Sequence, residues 1–140
     1  MPFEYIDHEA DAWVIGIGAT PEEAFVEGAK ATFNLMVDIE QMTPRKTVEI
    51  SCRADDIEEL FVAWLNELIL AKDIHGLVFS DFEVAIRETN TGFELTGKAR
   101  GEPPDPERHE LRTEVKAATY HGLKFERTDG EYRVGCVVDL

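Results

Sequence analysis

From Ile57 to Ile69 the apolar residues of this chain recur three and four apart. Ile57, Leu60, Phe61, Trp64, Leu65, Leu68 and Ile69 form one helical stripe wide enough to face a core. Asp55 or Asp56 supplies the capping carboxylate, and the helix is expected to end near Asp73, ahead of Gly76. A second stripe, Phe25, Ala29, Phe33 and Met36, follows Thr20-Pro21-Glu22-Glu23. There a capping threonine, a proline at the first helical position and a glutamate three residues after the cap predict a helix from about Pro21 to Val37. Most of the remaining sequence alternates with a period of two. Two amphipathic helices set into alternating sequence restrict the chain to an α+β architecture.

The alternating segments are Phe3 to Ile6, Ala12 to Gly18, Thr47 to Cys52, Val78 to Arg87, Gly92 to Gly101, Thr113 to Ala118, Leu123 to Arg127 and Tyr132 to Asp139. Asn90-Thr91-Gly92 and Thr128-Asp129-Gly130 read as hairpin turns, because Asn, Asp and Gly tolerate positive φ. The expected fold is a two-layer sandwich, with a largely antiparallel sheet carrying both helices on one face. Gly16 and Gly18 lack the spacing and lysine of a phosphate-binding loop and are read as room for close packing or a bulge. Gly101-Glu102-Pro103-Pro104-Asp105-Pro106-Glu107-Arg108 is a stiff loop, because three prolines in four residues fix φ and remove donors. At 140 residues and 44% hydrophobic, the chain supports one domain over residues 1–140, burying roughly 68% of its unfolded surface.

Charge narrows the function. Twenty-nine Asp and Glu against 14 Lys and Arg give a net charge of -15, which repels phosphate backbones and disfavours direct, high-affinity nucleic-acid binding. A metal ion or a basic protein partner suits such a chain better. Cys52 and Cys136 form no Cys-x-x-Cys pair and are expected as buried thiols. No secretory signal is visible, and Leu60 to Ala71 is too short to span a bilayer, so a soluble, cytoplasmic protein is expected. No nucleophile with a base and no glycine-rich loop entering a helix can be assembled.

The acidic residues offer one arrangement. Asp11 begins a strand and Asp139 ends the last one. If these strands neighbour each other with those ends together, two carboxylates and the main-chain oxygen of Leu140 converge on one hard cation; otherwise both are solvated surface groups. Asp7 stands before a turn, and His8 lies between the two acids as a local hydrogen-bonding group or an outer donor. Lys116 is read either as an exposed strand lysine paired with Glu114 or as a contact to a partner. His109 and His121 stand beside no evident nucleophile.

The segments Asp7-His8-Glu9-Ala10-Asp11, Gly101-Glu102, Val115-Lys116-Ala117-Ala118-Thr119-Tyr120-His121 and Val137-Val138-Asp139-Leu140, in this order, resemble the archease family over essentially all of the chain. The resemblance implies a divalent-metal site made by Asp11, Asp139 and the main-chain oxygen of Leu140. Calcium is its usual assignment, and the donor set leaves magnesium and manganese open. Asp7 is then an outer partner of that site, an acceptor for His8 or a turn-stabilising residue, His8 an outer donor or a local hydrogen-bonding group, and Glu9, where many archeases carry a threonine, a further charge within reach of the ion. The resemblance makes Lys116 a contact to a partner or its nucleotide; Glu102, in a loop that is either a stiff surface connection or an exposed contact element beside Lys116, and His121 are further candidates for that contact. The implied role is that of a non-catalytic protein cofactor of the RtcB-type RNA ligase in tRNA splicing and RNA repair. Such a cofactor promotes GMP transfer from GTP to the ligase's histidine and repeated turnover. Two other classes stand beside it: a stand-alone metal-dependent phosphohydrolase, and a chaperone-like interaction domain.

Overall fold

The structure is a computed structural model that describes residues 2–7 and 11–140, with only the backbone of Ile6 and Asp7. The strands are β1 (Phe3–Asp7), β2 (Asp11–Gly18), β3 (Lys46–Ala54), β4 (Val78–Thr89), β5 (Gly92–Glu102), β6 (Ala117–Ala118), β7 (Lys124–Thr128) and β8 (Glu131–Asp139). The helices are α1 (Pro21–Asn34) and α2 (Ile57–His75), and a short 3-10 turn covers Ile39–Gln41. No helix among the described residues is long and apolar enough to cross a membrane.

Both helices start where their caps predict. Thr20, in extended conformation, accepts the Glu23 amide at 3.1 Å, while the Glu23 carboxylate turns back to the Ala19 amide at 2.9 Å. Asp56 rather than Asp55 caps α2, accepting the Glu59 amide at 2.8 Å, and Gly76 closes the helix at φ 66°. Helix α1 ends at Asn34, short of the expected Val37. The reason is a competing claim on its last turn: Arg112 and Thr113 donate to the Met36 and Leu35 carbonyls at 2.8 and 3.0 Å, and Val37 bridges Leu111.

The α+β class and the antiparallel pairing hold, with both hairpins where their turn residues stand; Asp129 and Gly130 adopt φ 52° and 78°. The single sheet becomes two. One runs β1-β2-β8-β6, with β7 also on β8; the other runs β3-β5-β4. The β4–β5 hairpin inserts β5 between β4 and β3, so these three strands complete one another instead of extending the first sheet. Helix α1 packs on β2, β8 and β4, and α2 on β3, β5, β6 and β8, so each helix joins both sheets. The expected strand over Thr113 to Ala118 shrinks to Ala117–Ala118, because the backbone just before it is committed to the end of α1.

Trp64 anchors the core, fully buried, donating from Nε1 to the Phe25 carbonyl at 3.1 Å and meeting Phe82 edge-on. Phe25 meets Phe61 and Phe33 meets Phe79 in the same manner. Gly16 lets α1 approach β2: a Cβ there would collide with the Ala24 carbonyl and the Gly28 amide. Both obstacles are backbone, so they cannot swing away. Gly16→Ala is expected to destabilise the fold by about 3 kcal/mol, read from the denaturant midpoint at unchanged slope.

Candidate metal centre

Strand β2 pairs with β8 in a register that puts Asp11 directly opposite Asp139, Trp13 opposite Val137 and Ile15 opposite Gly135. Side chains alternate across a strand, so these residues share one face of the sheet, while Ala12, Val14, Cys136 and Val138 fill the opposite, buried face. Cross-strand partners stand about 5 Å apart at Cβ, and like charges there repel. Asp139 is exposed, but Oδ1 of Asp11 is sealed from solvent and has no hydrogen-bond partner. A buried, unpartnered carboxylate oxygen facing a second carboxylate is costly unless a cation joins them. Leu140 packs its side chain against the core, which holds its main-chain oxygen beside Asp139. Two carboxylates and a carbonyl are the hard oxygen donors that calcium or magnesium takes.

Among the described residues, no three His, Cys, Asp or Glu side chains form a metal-holding group, so the arrangement rests on these three residues. The expectations for His8 and Glu9, and for the side chain of Asp7, lie outside the described residues. At the backbone level, Asp7 pairs with Ala12 beside Asp11. On the same face the indole of Trp13 lies under Lys124, whose ammonium is 5.1 Å from the ring centroid.

Lys116 does not lie within a strand. It stands one residue before β6, exposed, and its amide donates to the Asp139 carbonyl at 2.8 Å. Among the described residues it has no ion pair, so the expected pairing with Glu114 is not formed. Ala117 pairs with Asp139 and Ala118 with Val138, which brings this segment against the acidic end of β8. The amide of Thr119 donates to Val137, and the His121 carbonyl accepts the Val137 amide, leaving His121 exposed at the rim. Sequence reasoning passed over Asn66 of α2, whose amide bonds both backbone groups of Ala118. Its signal was a lone amide within an apolar helical stretch.

Glu102 is elsewhere. It was expected as a surface contact, yet it is 1% exposed and its carboxylate is occupied within the chain. Oε2 accepts the Thr43 amide at 2.8 Å and Nε2 of His109 at 3.0 Å, and Oε1 accepts from Arg108 at 2.6 Å. Nδ1 of His109 accepts the Asp105 amide at 2.8 Å, so the ring proton belongs on Nε2, facing Glu102. The network ties the proline loop to the segment before β3. Chiefly through the Thr43 amide and then Arg108, it holds the Glu102 carboxyl down at about 2, against the opposing effect of burial.

The sequence profile of the Archease protein family (MTH1598/TM1083) matches residues 3–140. Protein archease of Methanopyrus kandleri is 46% identical over 140 residues, all of both chains, and that of Thermococcus kodakarensis is 41% identical over 139 residues, 99% of this chain and 98% of the other. The chain belongs to the archease family. Among solved structures, Methanobacterium thermoautotrophicum protein 1598 superposes with a TM-score of 0.86 at 35% identity, covering 99% of each chain. An archease from Thermotoga maritima, described as a possible chaperone, reaches 0.62 at 26% identity, covering 96% of this chain and 94% of that one.

In this archease-family chain neither thiol is a ready nucleophile. Burial pushes Cys52 and Cys136 up to about 12. Glu102 leaves a pH signature. Its carboxyl titrates lower in the folded chain than the ordinary 4.5, so its contribution to stability is present above pH 4.5 and is lost as pH falls towards about 2. Glu102→Gln is expected to lower stability at pH 7 and to flatten the fall between pH 4.5 and 2, measured by urea denaturation across that range. An unchanged pH slope would remove Glu102 as its source.

Proposed function

We propose that this member of the archease family activates an RtcB-type RNA ligase in the cytoplasm, promoting GMP transfer from GTP to the ligase's active-site histidine. Its working surface is the end of the sheet where β2 meets β8. The observation that carries the reading is the in-register pair of Asp11 and Asp139, with one Asp11 oxygen sealed and unpartnered. Asp11, Asp139 and Leu140 are the residues that would hold calcium, with magnesium or manganese as substitutes. Bound there, the cation supplies positive charge that offsets the two carboxylates and lets this end approach a triphosphate. Asp11 is fixed by the β2–β8 ladder and Asp139 by that ladder together with the Lys116 amide. Lys116, exposed beside them and without an ion pair among the described residues, extends towards the partner's nucleotide. A net charge of -15 keeps RNA itself away from the surface, which suits a protein that acts on the ligase and not on its substrate.

The experiment is labelled-GMP transfer to the ligase of the same source, held in excess over this chain. Wild type is expected to speed labelling beyond one equivalent of itself. Asp11→Lys and Asp139→Lys should each abolish that stimulation while keeping the wild-type fold by circular dichroism. Stimulation retained by both variants would sink the acidic-end mechanism. Calcium is also expected to raise the Tm of wild type but not of Asp139→Lys, because only a chain that binds it gains stability by mass action.

The words used for the Thermotoga neighbour favour a second reading, a chaperone-like interaction domain. Leu70, Ile74, Leu111 and Tyr120 are large apolar residues left exposed. Suppression of aggregation of unrelated proteins, unaffected by Asp11→Lys, would move this reading ahead of the ligase activator.

A further inference from the structure

We infer that Asn66 is a positioning residue for the acidic end, acting from α2 through β6; the inference rests on the reading that Asp11, Asp139 and Leu140 hold a cation. Strand β6 is two residues long and lies at the edge of its sheet. A strand so short cannot hold its own register. In an antiparallel ladder the amide and carbonyl of one residue point to the same side. Those of Ala118 point away from β8, where no further strand stands to receive them. Asn66 receives both: its Oδ1 accepts the Ala118 amide at 2.9 Å and its Nδ2 donates to the Ala118 carbonyl at 3.1 Å. One side-chain amide thus substitutes for a neighbouring strand and closes the edge.

The consequence passes across β6. On its other side this segment faces β8, where the Lys116 amide donates to the Asp139 carbonyl at 2.8 Å and the Thr119 amide to the Val137 carbonyl at 3.0 Å. These bonds fix the backbone that presents the Asp139 carboxylate and the following Leu140 oxygen, and they set where Lys116 leaves the sheet. The hydrogen bonds of the Asn66 side chain go to Ala118 and not to any of the three donor residues. Asn66 orients them as an outer partner orients a metal ligand, at one further remove. A hydrophobic residue of the same size at this helical position would leave the Ala118 amide and carbonyl without these partners.

The test uses the full chain and terbium alone as the probe, with calcium competing. Trp13 is two residues from Asp11 on the same strand face, about 6.6 Å along β2, and serves as the sensitiser of terbium luminescence. Asn66→Leu is expected to weaken terbium and calcium binding about 10-fold and to remove hydrogen-exchange protection at the Lys116 and Thr119 amides. Leu95→Ala, a core truncation in the other sheet, serves as the control for lost stability and should leave both readouts unchanged. Asn66→Asp keeps an acceptor for the Ala118 amide and adds a negative charge that by itself draws cations in. Weaker binding by that variant therefore supports positioning, and it decides the question if Asn66→Leu does not fold. Wild-type affinity in the Asn66 variants, or an equal loss in Leu95→Ala, overturns the inference alone. A wild-type chain that takes up no terbium overturns the metal reading and the inference with it.

Discussion

The antiparallel ladder between β2 and β8, running from Asp11 opposite Asp139 to Gly18 opposite Tyr132, is the constraint on which the rest depends. It joins the first and last parts of the chain, so its loop-closure entropy is offset only when the intervening helices and strands pack as well. Its register also decides two things at once. It turns Ala12, Val14 and Gly16 towards α1, and it brings two aspartates together at one end. A slip of one residue would send Trp13 towards the core, expose Val14 and separate the acidic pair. Folding and site assembly are therefore one event at this ladder.

What the sequence made legible was local. Thr20, Asp56 and Gly76 mark helix ends through hydrogen bonds that span four residues or fewer, and Asp129-Gly130 marks a turn through φ alone. The number of sheets was hidden, because alternation says that a strand has two faces and not which strand lies beside it. The segment from Thr113 alternates like a strand, yet Arg112 and Thr113 give their amides to Met36 and Leu35, a claim made by residues some 75 positions away. Asp11 and Asp139 were recognisable as candidates, but their pairing is a register, and register is written in no single residue. Glu102 misled most. A glutamate before a proline loop looks exposed, and only the Arg108-His109 pair six and seven residues later hints at the cluster that draws it inside.

Arginines pair with only part of the acidic surface. Arg100 spans Asp81 and Glu83, Arg133 meets Glu4, Arg87 meets Glu94, and Arg108 serves Glu102. Apart from buried Glu102, these are exposed pairs that contribute about 0–1 kcal/mol each and do not explain stability. Arg87, Arg100 and Arg108 are engaged on the second sheet and its loop, and Arg133 on the first sheet away from the acidic end. Asp11 and Asp139 receive none of them, and Lys116 beside them is left without an ion pair among the described residues. The two aspartates share this lack with other acids, among them Asp56, Asp55 and Glu58, whose charges raise the Glu59 carboxyl above its ordinary value.

Two roles for a cation at that end make different physical demands. A cation that only fastened the two chain ends would need Asp11, Asp139 and Leu140, and its whole effect would appear in the unfolding free energy through mass action. Such a fastener gives no reason for Lys116 beside the pair to remain exposed and, among the described residues, without an ion pair, because turning it onto the carboxylates would neutralise them without any ion. In this chain the Lys116 backbone binds Asp139 while its side chain stays in solvent. That separation holds the acidic end in place and keeps a cationic group available outward. On the proposed function, an element that meets a phosphate held by another protein requires both properties, and a structural fastener requires only the first.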